Sequence, residues 1–186
     1  KPGPTVLFTA GIHGDEVSGV EIVRQMIAGK INQPAIGTVI CIPVINIFGF
    51  LNKSRNFPDG RDLNRVFPGS NNGSLASRVA HELVTGFLPL VDYVVDFHTG
   101  GADRFNAAQV RINPKRPELK PLAALFGAPF VVHSKLLSKS FRSSCQKLNI
   151  PMLLFEGGKS NHLDRDIIEY GVMGAKRLLS HLNMLR

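Results

Sequence analysis

The sequence predicts an α/β domain built on a mostly parallel or mixed central sheet flanked by helices. Short apolar runs alternate with longer segments of helical period, as they do in consecutive βα units. The runs themselves barely alternate in polarity, which is the pattern of strands buried on both faces. A chain of 186 residues with 44% hydrophobic content is long enough for one sizeable core and short of two independent ones, so residues 1–186 read as a single domain.

Taken in order, residues 5–10 (TVLFTA) form the first strand, and residues 16–28 a helix with Val17, Val20, Val23 and Ile27 on one face and Gly29 as its stop. Residues 37–45 form the next strand. Residues 46–72 carry five glycines or prolines without clean periodicity, and a structureless connection of that length points to function. Helical period returns over 75–87, strands follow at 93–97 and 107–112, and a helix at 118–126. A helix over 140–149, a strand over 151–156 and a helix over 165–182 complete the chain. There is no internal repeat.

Composition narrows the class of function. No apolar run approaches the length of about 18 residues that a membrane-spanning helix needs, and no basic-then-apolar leader opens the chain. The chain starts at Lys1 rather than methionine, which is compatible with a cropped or processed start. Cys41 and Cys145 have neither metal-ligand spacing nor disulfide-scaffold density, so they read as reduced thiols of a cytoplasmic protein. The net charge of +8 admits nucleic acid, an anionic membrane or an acidic substrate. The basic residues are spread out, however, with only a loose cluster at Lys135, Lys139, Arg142 and Lys147 and no interleaved aromatics to stack bases. Neither nucleic acid nor membrane is expected as a partner.

Chemistry concentrates at strand ends, where open α/β sheets bind ligands. In GIHGDE (11–16), Gly11 and Gly14 permit a backbone path that lets His13 and Glu16 turn to a common point. Imidazole and carboxylate suit zinc, although H-x-x-E equally suits a helix-capping arrangement. His98, in VVDFHTGG, ends another strand and is the candidate third ligand; alone it would fit a core histidine. His81 and His181 lie in helix patterns, His133 lacks a glycine turn and His162 sits in a polar loop. The segment SRNFPDGRDLNRVFPG (54–69) gathers Arg55, Arg61 and Arg65 with Asp59, Asp62 and Asn64, a composition suited to an anionic amide or to a solvated loop. LLFEGG brings Glu156 to a strand end, either as a general base or as an acid paired with a nearby lysine or arginine.

GIHGDE, NIFGF followed by SRNFPDGRDLNRVFPG, DFHTG and FEGG, in this order from Gly11 to Gly158, resemble the succinylglutamate desuccinylase/aspartoacylase family of zinc carboxypeptidase-like hydrolases. The resemblance implies one Zn2+ per chain held by His13, Glu16 and His98, with Glu156 as general acid/base and Arg55 polarising the scissile carbonyl. It further implies that Asn64 and Arg65 bind the substrate's carboxylate, that Asp62 orients His13, and that Arg142 is a further carboxylate-binding arginine. Members of the family carry a C-terminal β-rich domain that is absent from this chain. The implied activity is deacylation of a small anionic N-acyl substrate such as an N-acyl amino acid. Metallocarboxypeptidase action on peptide C-termini and a non-catalytic anion- or nucleic-acid-binding module are the alternatives. Nothing in the sequence bears on oligomeric state.

Overall fold

The computed structural model describes residues 2–102 and 104–185; Lys1, Asp103 and Arg186, and with them both ends of the expected 1–186 domain, lie outside the described residues. Six strands form one sheet: β1 (Thr5–Ala10), β2 (Thr38–Ile42), β3 (Tyr93–Gly100), β4 (Asn106–Ile112), β5 (Phe130–His133) and β6 (Met152–Lys159). Their spatial order is β2-β1-β3-β6-β4-β5. All neighbours run parallel except β4 and β6, which are antiparallel. The sheet is therefore mixed, and the reversed β4 brings its first residue, Asn106, beside Gly158 at the edge where β3 and β6 end.

Successive side chains of a strand face opposite sides, and both sides are covered. Val6 and Phe8 of β1, Val95 and Phe97 of β3 and Phe155 of β6 pack under α1 (Val17–Ala28), α4 (Leu119–Phe126) and α6 (Arg165–His181). Leu7, Val94 and Met152 pack under α3 (Leu75–Glu82), α5 (Phe141–Lys147) and the loop residues Phe57, Leu63 and Phe67. This explains the unbroken apolar runs: a central strand has no solvent face on which to place polar residues.

Several expectations shift at the level of single elements. The buried stripe of α1 is Ser18, Gly19, Ile22, Val23 and Met26, whereas Ile27 is 41% exposed. A Cβ on Gly19 would lie 2.8 Å from the Phe97 carbonyl oxygen, so small residues set the line of closest approach and rotate the helix away from the large-residue face. Gly29 does end the helix as its C-cap, and the left-handed residue is the next one, Lys30. The helix expected over 75–87 is regular only to Glu82 and continues as a wider turn over Leu83–Phe87. The connection 46–72 is not structureless, since it contains the short helix α2 (Ile47–Leu51) and a 3-10 turn at Leu63–Arg65.

Candidate active site

Glycines at two positions allow the GIHGDE turn to fold against its neighbours. Gly11 has φ +62°, in the left-handed region that favours glycine. A Cβ on Gly14 would fall 2.0 Å from the Gly49 carbonyl carbon, so the turn packs directly on the backbone of α2. Asn46 locks this contact from the other side. Its amide N–H donates to the Gly11 carbonyl (2.8 Å), its side-chain oxygen accepts from Gly49 N–H (2.8 Å), and its side-chain NH2 donates to the Arg55 carbonyl (3.2 Å). One buried asparagine thus ties the turn to the loop that carries Arg55.

His13, Glu16 and His98 converge, each buried and each offering one donor atom, all within 4.8 Å of one another. His98 lies within β3 rather than after it, beside a register shift that precedes Gly100, and is the sheet neighbour of Glu156 on β6. Glu16 sits at the start of α1 but makes no side-chain cap for it. Its carboxylate instead meets His13 Nδ1 at 2.7 Å and His98 Nδ1 at 2.9 Å, and accepts from Thr99 N–H at 3.1 Å. The capping alternative for H-x-x-E therefore does not hold.

The far nitrogens of both imidazoles also face acids. His13 Nε2 is 3.2 Å from Asp62 Oδ1, and His98 Nε2 is 2.7 Å from Asp96 Oδ2. Asp62 is a hub: Oδ1 also accepts from Asn64 N–H (2.8 Å), while Oδ2 accepts from the Arg55 guanidinium (2.9 Å). Asp96 accepts a second hydrogen bond from the buried Thr9 hydroxyl at 2.8 Å. Sequence reasoning missed Asp96, although residues i and i+2 of a strand share a face and D-x-H was the available signal.

Electrostatics follow from this packing. Burial favours the neutral form of Glu16, but His13 and His98 outweigh it and hold the carboxyl far below its usual range. Burial opposes charge on the histidines too, yet Glu16 with Asp62 raises His13, and Asp96 with Glu16 raises His98 further. Carboxylates only accept, so contacts on all four ring nitrogens favour a proton on each in the metal-free site. A divalent cation fits as a replacement for the two inward Nδ1 protons: the charge is conserved, the outer acids retain their Nε2–H bonds, and the two imidazoles and one carboxylate that remain form a suitable zinc donor set.

His13, Glu16, His98 and Asp62 line a cleft of about 470 Å³ together with Glu156, Arg55, Asn64, Arg65 and Arg142, so the residues to which the resemblance assigns a role reach one place. Asn64 uses its side-chain oxygen to accept from Phe141 N–H (2.9 Å). Glu156 accepts from the Asn106 side chain and pairs with Arg111, whose Nε is 3.0 Å away. Burial raises the Glu156 carboxyl above the ordinary glutamate range, with Arg111 pulling against it. The pairing read as an alternative for Glu156 is thus real, and its partner Arg111 was not foreseen. Arg61 and Asp59 of the same long loop pair with each other at 3.7 Å and do not line the cleft. Both cysteines are free; burial pushes Cys41 up to about 11 and Cys145 higher. Among the described residues no helix is long and apolar enough to cross a membrane.

Comparison with known proteins gives the family and the fold. Residues 2–182 match the family described as the succinylglutamate desuccinylase/aspartoacylase catalytic domain. The chain is 33% identical over 137 residues to the N-alpha-acetyl-L-2,4-diaminobutyric acid deacetylase of Halomonas elongata, covering 70% of this chain and 40% of that protein. The crystal structure of a succinylglutamate desuccinylase/aspartoacylase from Rhodobacter sphaeroides superposes with TM-score 0.91 at 31% identity, over 100% of this chain and 58% of that one. The product-bound ectoine utilization protein EutE (DoeB) of Ruegeria pomeroyi gives TM-score 0.89 at 26% identity, over 100% and 60%. The chain thus spans about half the length of these relatives.

Proposed function

The chain belongs to the succinylglutamate desuccinylase/aspartoacylase catalytic-domain family, and from that premise we propose that it is the catalytic part of a zinc-dependent deacylase that cleaves the N-acyl bond of a small carboxylate-bearing substrate such as an N-acyl amino acid. The observation that carries this reading is the convergence of His13, Glu16 and His98 with Glu156 and four arginine or asparagine side chains in one cleft. The deacetylase activity in the name of the Halomonas relative supports it.

In this reading His13, Glu16 and His98 would hold the cation, which would supply Lewis acidity for water and carbonyl activation. Glu156, whose carboxyl burial raises above its usual value, takes a proton from the attacking water and delivers it to the leaving amine. One C–N bond breaks, one C–O bond forms, and the products are an acid and a free amine. Arg55, held by Asp62 and 3.4 Å from Glu16, offers N–H groups to the oxygen that gains charge. Asn64 has committed its oxygen to Phe141, which leaves its NH2 to donate alongside the guanidinium of Arg65 to the substrate's carboxylate. Asp62 links these tasks, since the same carboxylate orients His13, Arg55 and the backbone of Asn64.

The test is a screen of N-acetyl and N-succinyl amino acids and short peptides with zinc supplied, reading released amine. Amine from the N-acyl amino acids is expected. Release confined to peptide C-terminal residues would contradict the deacylase reading and favour a carboxypeptidase.

A further inference from the structure

The cleft has more cations than the proposed chemistry uses. Arg55, Arg65, Arg104, Arg111 and Arg142 line it, against the acids Glu16, Asp62 and Glu156. Arg142 and Arg111 differ from the others in how they are held. Arg142, on α5, donates to the Ser134 hydroxyl (3.0 Å) and to the Lys135 carbonyl (2.9 Å), with Ser134 O at 3.5 Å. All three acceptors are neutral. No carboxylate among the described residues comes within ion-pair distance of it, and burial together with the neighbouring charge of Arg111 works against its protonation. A guanidinium fixed in place, largely desolvated and beside a second cation, is costly unless an anion completes the site.

Arg111 does have an acid, and it is Glu156. β4 and β6 are antiparallel with Arg111 opposite Leu154 and Gln109 opposite Glu156, so the Arg111 side chain reaches Glu156 on the diagonal. Only its Nε is used, at 3.0 Å from Glu156 Oε2 and 3.2 Å from Gln109 Oε1. Its two terminal nitrogens have no acceptor among the described residues. The other Glu156 oxygen is taken by Asn106. A carboxylate engaged on both oxygens, one of them by a guanidinium, is a weakened base.

We propose that Arg111 is a positioning residue that exchanges Glu156 for an anionic group of the substrate, seated jointly with Arg142, so that binding of that anion releases Glu156 for proton transfer. This deepens the deacylase reading and rests on it for the role of Glu156. It makes the anion on the substrate a condition for freeing the Glu156 carboxylate from Arg111 as well as a handle for affinity. Substrates whose amino-acid or acyl part carries a further carboxylate are therefore turned over in preference to neutral analogues.

Inorganic sulfate, a dianion that fits two guanidinium groups and is a poor ligand for zinc, serves as the probe. Its affinity is measured calorimetrically for the unaltered chain, Glu156→Gln, Arg111→Gln and the double variant. Exchange predicts that Glu156→Gln tightens sulfate binding by on the order of tenfold, the scale of one charge-assisted hydrogen bond. That gain disappears when Arg111 is already glutamine. An equal gain in both backgrounds would mean simple charge removal and would overturn the exchange, as would sulfate binding indifferent to Arg111→Gln. Melting curves identify any variant that fails to fold, and Arg111→Lys then serves as the second variant, because it keeps the charge without the fork and also loses the gain.

A kinetic arm uses N-acetylalanine, whose single carboxylate belongs to Asn64 and Arg65 and which carries no further anion for Arg111 and Arg142. Added sulfate at constant ionic strength accelerates amine release by the unaltered chain and not by Arg111→Gln. No hydrolysis of any substrate alongside an intact sulfate cycle would remove the deacylase reading and leave the exchange standing. Hydrolysis that sulfate leaves unchanged would do the reverse.

Discussion

Replacing Asp96 by asparagine isolates the contribution of the buried acid behind His98. Asp96 is fully buried, with Oδ2 2.7 Å from His98 Nε2 and Oδ1 2.8 Å from the Thr9 hydroxyl. Asparagine has the same shape with one acceptor fewer. With its oxygen towards His98, its NH2 faces Thr9, whose hydroxyl turns to accept and redirects its proton to the Val95 carbonyl at 3.5 Å. No buried group is then left without a partner, and one charge-assisted bond becomes a neutral one, at a cost of about 1 kcal/mol in stability. The larger effect falls on the metal, because an outer acid fixes the ring and raises its basicity; its removal costs roughly 10- to 100-fold in metal affinity. Competition against a chromophoric chelator reads that affinity, and thermal melts of the metal-free protein read the fold. Asp96→Ala is the harsher control, leaving the buried His98 Nε2–H unpaired at roughly 1–3 kcal/mol while Thr9 keeps only the long bond to Val95. An Asp96→Asn protein that folds normally and binds zinc as tightly as the unaltered chain would refute the orienting role.

Glu156→Gln retains metal but loses most hydrolysis, since the amide keeps the shape without the basicity; metal content and rate measured on one sample decide it, and near-normal turnover rejects the role. Arg65→Lys raises KM with little change in kcat, because an ammonium cannot make two parallel bonds to a carboxylate, whereas Arg55→Lys lowers kcat; the same pattern in both variants would dissolve the division of labour between them. The acid limb of kcat/KM reports Glu156. The protonated carboxyl cannot accept a proton, so the rate falls as pH drops through its raised value, and Arg111→Gln moves the limb to higher pH by removing the charge that opposes the rise. A limb that stays in place in that variant assigns the titration to another group.

The fold was largely legible because central strands such as β1 and β3 are apolar on both faces, and a chain advertises that without reference to partners. What was not legible depends on packing between elements. The stripe of α1 is set by Gly19 against Phe97, and residues that matter by being small carry no hydrophobic signal. β5 is a four-residue edge strand, mostly exposed, so nothing in its local pattern requires burial. The site followed the same division. His13 and Glu16 follow the end of β1, and Glu156, expected at a strand end, lies within β6 just before two glycines; each is visible one motif at a time. Arg111 lies in the middle of a strand, and only the antiparallel pairing of β4 with β6 brings it to Glu156. Asp96 could have been found from strand period alone, by asking what shares a face with His98.

The central claim is that one cation is held by His13, Glu16 and His98, and zinc stoichiometry measures it directly. Protein purified without chelator and exchanged into metal-free buffer is analysed for elemental zinc beside His13→Ala, Glu16→Ala and His98→Ala, each checked for folding. The account predicts one zinc per chain in the unaltered protein and a large loss in every variant. One equivalent retained by a folded His13→Ala, His98→Ala double variant would contradict it.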